Sequence, residues 1–370
     1  MSIEQRLQEI RRESSSDAVG DAERFRRVAL TETEMMSQGA AIRATLEANE
    51  APLARIAADL AARPIRRIAM VGCGDSWISG TGVRHVAERL LGAVCEPCEA
   101  FDFATYGLDV VDAQTVVVGL SSSGKTEPVI DGLKGAAARG AYAIGLSNTL
   151  GSPLMDEFPG ALHIRATRGG WPTQSSTAAM ALKLALVAAL AEARGRDAGA
   201  LRTALEALPG LVDAVARRFY EPARDLAARL ARADLVLLTG AGPHYAPAAF
   251  GAAKLKELAP IHAQAFPLEE YHHYRTQKAG DPMVLIAPDA ASHARAAETA
   301  IMSQGVEGMC IALLPEGETE IAEIADIAWH LPAVAWETAP ILYSVPLHLF
   351  GYHAAMERDA AGLGAPRLGL

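Results

Sequence analysis

Six consecutive residues, Ser121-Ser-Ser-Gly-Lys-Thr126, place four hydroxyls, a glycine and a lysine directly after the apolar run Thr115 to Leu120 and before a helical pattern opening at Glu127-Pro128. That order of strand, hydroxyl-rich turn and helix start suits an anion. The first N–H groups of a helix lack intrahelical acceptors and carry partial positive charge, so a phosphate set against them satisfies several donors at once. Gly124 lets the backbone approach closely, the hydroxyls add donors, and Pro128 near the first helical position loses no hydrogen bond. One hydroxyl suffices for a simple helix cap; four point to a phosphate cradle. The Walker A spacing G-x-x-x-x-G-K-[ST] is absent, which disfavours ATP hydrolysis. A second glycine loop, Gly72-Cys-Gly74, ends another apolar run. Trp77 stands where a dinucleotide fingerprint needs its third glycine, which disfavours a nucleotide-dependent oxidoreductase.

Such a loop needs a scaffold, and the chain supplies one twice. An offset of 168 residues sets Val236-Leu-Leu-Thr-Gly-Ala-Gly242 over Ile68-Ala-Met-Val-Gly-Cys-Gly74. It also sets Met283 to Pro288 over Thr115 to Leu120, and Met309 to Leu314 over Ala141 to Leu146; Ile327 to Ala333 falls near Ala161 to Ala166. Repetition at a fixed offset marks a duplicated architecture. Each half reads as short apolar runs alternating with amphipathic helical stretches, the pattern of a parallel sheet covered on both faces. The expected fold class is therefore α/β: two tandem doubly wound domains, with ligands bound where loops leave the carboxyl ends of the strands. The boundaries read as an N-terminal helical segment at 1–45, a first domain at 46–208 holding the cradle, and a second domain at 209–370. Arg194 to Leu230 has helical periodicity with one break at Pro209-Gly210, so a helical connection should pack the halves as a unit. In the second half the cradle position reads Asp289-Ala-Ala-Ser-His293, whose acid would repel phosphate, and one cradle per chain is expected.

At 370 residues the chain is long enough for about two domains. Half of it is hydrophobic and 21% charged, a balance able to bury a large core; with 5% aromatics, Ala, Leu and Val must fill it. The net charge of −10 comes without any dense Lys/Arg block, so nucleic acid is not expected as a partner. Met1 to Asp17 is charged and lacks an apolar signal core, so a secretion signal is not expected and a cytoplasmic location is. Ala178 to Ala191 is interrupted by Lys183 and shorter than the roughly 20 residues a bilayer requires, so no membrane span is expected. Cys95 and Cys98 form a lone C-x-x-C, and Cys73 and Cys310 sit in apolar, strand-like runs; reduced structural thiols are expected. No metal-ligand spacing stands out, and no cofactor is expected.

Beyond periodicity, particular stretches carry a resemblance: Cys73-Gly-Asp-Ser-Trp-Ile-Ser-Gly80, the S-x-S-G-x-T loop, Ser176-Thr177, Lys254-Leu-Lys-Glu257 followed by Ile261-His-Ala263, and Ala339 to Leu347 with Tyr352-His353. Together they resemble the SIS (sugar isomerase) phosphosugar-binding family, specifically the paired isomerase domains of glucosamine-6-phosphate synthase and its relatives, from Glu32 to Arg367. The resemblance implies two tandem SIS domains of flavodoxin-like, three-layer αβα build. It implies that Ser121, Ser122, Ser123 and Thr126 hold the sugar phosphate, while Gly74, Asp75, Ser76, Gln174, Ser176 and Lys254 contact the sugar. Glu257 matches the family's general base. His273, at the family's interval after it, matches the ring-opening histidine, which reaches the site from a neighbouring subunit; a homodimer with shared sites is thus implied. Glu270 is placed to orient His272 or His273, whichever imidazole works. The chemistry agrees, because one carboxylate over two carbons can remove and return the proton that interconverts an aldose and a ketose, and histidine titrates near neutrality as ring opening requires.

The sequence departs from the synthase in two places. No lysine follows Lys278, so the synthase's C-terminal Schiff-base lysine has no counterpart after Pro366-Arg367, and no glutaminase domain precedes the repeat. Glutamine-dependent synthesis is therefore not expected. Trp77 and Trp171-Pro172 should bring bulk near the sugar, and Ala178 stands where the family commonly has a lysine. The leading reading is a phosphosugar aldose-ketose isomerase, or an amino-sugar phosphate deaminase or deglycase, working at C1 and C2 of a 6-phosphorylated keto or amino sugar. The alternative is a non-catalytic sugar-phosphate sensor.

Overall fold

Val-rich runs such as Thr115-Val-Val-Val-Gly-Leu120 have no polar face to offer water, so they are stable only as strands covered on both sides. In the computed structural model, which describes residues 2–12, 20–274 and 276–364, the first half builds β1 (Arg67–Gly72), β2 (Val94–Glu99), β3 (Thr115–Leu120), β4 (Tyr142–Ser147) and β5 (Gly160–His163). These form one parallel sheet in the order β2-β1-β3-β4-β5. The second half repeats it with β6 (Leu235–Gly240), β7 (His262–Pro267), β8 (Pro282–Ile286), β9 (Met309–Pro315) and β10 (Ile327–Leu331), ordered β10-β9-β8-β6-β7. Both sheets follow the doubly wound order whose winding reverses between the first and third strands, and that switch point is where such sheets bind ligands. Pro366-Arg367 lies outside the described residues.

A fifth strand pair, β2 and β7, obeys the 168-residue offset as well. Both are edge strands of mixed polarity, partly exposed and each containing a proline, so they lack the apolar signature of the other four pairs.

Helix Gln174–Ala193 is buried at nearly every position. It is long and apolar enough to cross a membrane, yet 89% of its apolar window is buried inside this fold, as befits a helix that is hydrophobic on every face. The linking helix Gly199–Leu230 runs through Pro209 without the break expected at Pro209-Gly210, and position 208 falls inside it. Packing along helix Ala339–Ala360 and burial of Pro209 outweigh the ~3 kcal/mol that an interior proline costs. The halves share one continuous core that includes Met180, Ala246 and Leu342. At Gly82, where they meet, an added Cβ would lie 3.1 Å from both the Ala246 Cβ and the Met180 Sδ, so a side chain there would need both neighbours to give by a few tenths of an ångström.

Cys95 and Cys98 both lie on β2 as free thiols. Burial pushes them up to about 12 and about 11, which leaves them unreactive at neutral pH.

Candidate functional site

β1 and β3 are neighbours, so the loops leaving their carboxyl ends face each other across one cleft of about 380 Å3. That lies within the roughly 300–1,000 Å3 of small-molecule sites. After β3 the chain turns through Ser121–Thr126. The Ser121 Oγ accepts from the Gly124 N–H at 3.1 Å and lies 2.7 Å from the Thr126 Oγ1 and 3.3 Å from the Ser123 Oγ. Gly124 has φ +66°, and a Cβ there would fall 2.0 Å from the Ser152 Oγ, so only glycine lets the turn close. Helix Glu127–Ala138 follows, with Thr126 at its N-cap and Pro128 in its first turn. The N–H groups of Ser122, Ser123 and Thr126 engage no partner among the described residues. Three backbone donors and the positive end of a helix are thus available to one anion.

The opposite wall joins both halves. Asp75 opens helix Asp75–Thr81 after β1. Its Oδ2 accepts from the Ser176 Oγ at 2.9 Å and from the Lys254 Nζ at 2.9 Å. Lys254 comes from helix Tyr245–Leu258 of the second half, and its Nζ also donates to the Glu257 Oε2 at 2.6 Å. The i, i+3 spacing puts Lys254 and Glu257 on one helical face. Lys254 is fully buried; burial would drive its pKa down, but the Asp75 and Glu257 carboxylates outweigh it and the net direction is up. The ammonium therefore stays charged, its burial compensated by pairing. Glu257 lines the cleft, and among the described residues only its Oε2 is engaged. A second lysine sits directly behind this wall. Lys183, also buried, donates to the Ser79 Oγ at 2.7 Å and the Ser76 carbonyl at 3.3 Å. Burial pushes its pKa down to about 7.

The cleft brings together Gly74, Asp75, Ser76, Ser121, Ser122, Ser123, Thr126, Ser176 and Glu257. Lys254 lies beneath it rather than on its surface, and Gln174, also buried, turns its Nε2 to the Thr167 Oγ1. Glu270 and His273 sit on the short helix Leu268–Tyr274 beyond edge strand β7 and do not line the cleft of their own chain. The His273 side chain is 64% exposed, with the Glu269 Oε1 3.4 Å away, whereas His272 bonds the Thr299 Oγ1 at 2.9 Å. Lys125 is exposed and stays outside the cleft. Trp77 turns its indole N–H to the Pro97 carbonyl at 3.2 Å, so of the residues expected to bring bulk only Pro172 lines the site. Cys73 is exposed at the cleft edge instead of buried in a strand, and its Sγ donates to the Glu99 Oε1 at 3.4 Å. Ser175 and Arg168 also line the cleft. Ser175 was detectable as a second hydroxyl beside Ser176; nothing in the sequence signals Arg168, which lies in a patternless loop.

A larger groove of about 620 Å3 lies at the far end of helix Gln174–Ala193, floored by Leu53, Ala57, Ala189 and Leu205. Arg43, Glu47, Glu50, Glu192, Arg202 and Glu206 line it as well, and of these Glu192 and Arg202 pair at 2.7 Å.

A family profile described as SIS domain matches residues 63–193 and 229–358. The chain is 32% identical over 311 residues to the glutamine--fructose-6-phosphate aminotransferase [isomerizing] of Thermus thermophilus, covering 80% of this chain and 50% of that protein. It spans about half the length of the curated relatives it matches. Among solved structures, the C-terminal domain of glucosamine-fructose-6-phosphate aminotransferase from Francisella tularensis superposes with a TM-score of 0.79 at 20% identity, covering 89% of this chain and 96% of that one. A glucosamine-6-phosphate deaminase from Thermotoga maritima gives 0.69 at 17% identity, with 90% and 95% covered. At these identities the two structures speak for the fold alone.

Proposed function

The chain belongs to the SIS domain family, and from that premise we propose that it moves a proton between C1 and C2 of a 6-phosphorylated keto or amino sugar, as an aldose-ketose isomerase or as a deaminase or deglycase. A phosphosugar-processing role is the reading that the family and its isomerase and deaminase relatives support. In this proposal the phosphate rests on the free N–H groups and hydroxyls of the Ser121–Thr126 turn. The sugar carbons then extend toward Asp75, Ser76 and Ser176. Glu257 takes the proton from the carbon beside the carbonyl or imine and returns it to the adjacent carbon, so no external oxidant or reductant is required. For an amino sugar, the imine formed by that shift is hydrolysed by water and the amine departs. Lys254 fixes the Glu257 carboxylate through one oxygen and leaves the other to the substrate.

Ring opening is assigned to His273 of a second copy of the chain, since His273 lies away from the cleft of its own chain. A homodimer with shared sites is thus part of the proposal. The observation that carries it is the presence of a hydroxyl-lined turn from one half and a carboxylate from the other on the walls of a single cleft. A sensor would need the turn but has no use for the carboxylate. The test is a screen of hexose, hexosamine and fructosyl-amine 6-phosphates that reads ketose formation and amine release together. Turnover of one class identifies the reaction; binding without turnover across all of them would favour the sensor.

A further inference from the structure

Residues 164–173 link β5 to helix Gln174–Ala193 along the rim of the cleft, and one side chain grips this loop from behind. Glu34, on helix Ala22–Met36, is only 6% exposed. Its Oε1 accepts from the Thr167 Oγ1 at 2.7 Å and the Gly169 N–H at 2.8 Å, and its Oε2 accepts from the Gly170 N–H at 3.2 Å. One turn earlier the Thr31 Oγ1 accepts from the Trp171 N–H at 2.8 Å, and the Arg27 guanidinium covers the Trp171 ring at 3.9 Å. A Cβ on Gly170 would lie 2.5 Å from the Thr31 N and Oγ1, so the loop sits directly on the helix. No cation pairs with Glu34 within 4.0 Å among the described residues; its charge is spent on this loop.

Within the clamped run, Arg168 is the residue that lines the cleft. Its Nη1 lies 3.5 Å from the Thr149 Oγ1, which donates to the Ser122 carbonyl at 3.1 Å. That places the guanidinium beside the serine turn. It is the one cationic side chain among the residues lining the cleft, whose acidic members are Asp75 and Glu257. Asp75 and Glu257 share a single ammonium, that of Lys254, which leaves excess negative charge where a phosphate monoester enters; a planar guanidinium offsets it and matches a phosphate in shape as well as sign.

Resting on the phosphosugar reading above, we propose that Arg168 is the cationic half of the anion site, and that Glu34 acts as its positioning residue by clamping the loop on either side of it. The ligand favoured is then a phosphate monoester over the corresponding free sugar. Arg168 binds, and Glu34 acts through Arg168.

Affinities for fructose 6-phosphate, inorganic phosphate and fructose, measured by calorimetry on the full chain, test both parts. Arg168→Gln should weaken fructose 6-phosphate and phosphate at least tenfold and leave fructose unchanged, with Arg168→Lys recovering part of the loss. Glu34→Gln places an amide donor against the loop's own N–H donors and should cost several-fold in the parent background, but less than twofold when combined with Arg168→Gln. If Glu34→Gln fails to fold, Thr167→Val, which removes one clamp bond together with the Gln174 Nε2 partner, should show the same dependence on background. Undiminished phosphate affinity in Arg168→Gln overturns the anion role. An equal penalty from Glu34→Gln in both backgrounds overturns the positioning role. A parent whose affinity falls on Ser123→Ala/Thr126→Ala but not on Arg168→Gln sinks this inference alone; a parent binding neither phosphorylated probe sinks the cleft reading with it.

Discussion

Lys183 makes the folded state pH-dependent in a direction the structure fixes. Its Nζ is sealed between helix Gln174–Ala193 and the back of helix Asp75–Thr81, bonded to the neutral Ser79 Oγ and Ser76 carbonyl, and burial pushes its pKa down to about 7. An unfolded lysine titrates near 10.4. Because the folded value lies below the unfolded one, the penalty is absent above about pH 10.4, grows as pH falls between the two values, and levels off below about pH 7. From pH 7 to pH 9 the penalty shrinks by about 1.7 pK units, or about 2 kcal/mol. At about 2.1 cal/mol/K per residue, the unfolding entropy of a 370-residue chain turns that into a midpoint shift of about 3 °C. Lys183→Met keeps the shape and removes the proton site. Thermal unfolding of parent and variant at pH 7 and pH 9 should show the parent gaining about 3 °C on the variant at the higher pH, with other titrations cancelling in the difference. A gap that does not change with pH would refute the reasoning.

Three further outcomes follow from the site. Glu257→Gln should abolish turnover while leaving the affinity for a phosphorylated sugar within about threefold, since the amide keeps the shape and loses only the base; this is checked by steady-state rates beside calorimetry. Ser123→Ala/Thr126→Ala should weaken phosphorylated ligands about tenfold to a hundredfold, each lost charge-assisted bond counting for about 1.5–3 kcal/mol before the remaining donors compensate, and titration with inorganic phosphate reads it directly. Lys254→Met strands two carboxylates, one of them a third exposed, and should lower stability by about 3 kcal/mol at pH 7, measured as a urea midpoint; an unchanged midpoint would contradict the pairing.

The parts of this molecule that could be seen in its sequence are those whose physics is local. A strand buried on both faces must be apolar throughout, so eight of the ten strands are visible as runs; β2 and β7, half-exposed at the edges, are not. The serine turn is legible because its hydroxyls, its glycine and the following helix start are contiguous. Asp75, Lys254 and Glu257 gain their meaning only from family resemblance, because a buried ammonium joining two carboxylates from different halves leaves no pattern along the chain. Arg168 escapes both routes. It stands in an irregular loop held against Glu34, over 130 residues away in sequence. Tertiary packing also overrides local signals: Pro209 fails to end its helix, Trp77 turns away from the site, and Gln174 braces a loop rather than facing the cleft.

The central claim concerns where one ligand lies relative to one carboxylate. A crystal structure of the chain with the 6-phosphorylated sugar selected by the activity screen measures that directly. The account predicts the phosphate against the N–H groups of Ser122, Ser123 and Thr126, and C1 and C2 within about 3.5 Å of the free Glu257 oxygen, the separation proton transfer requires. A sugar seated in the groove floored by Leu53 and Ala189, or one whose C1 and C2 lie beyond the reach of Glu257, would contradict it.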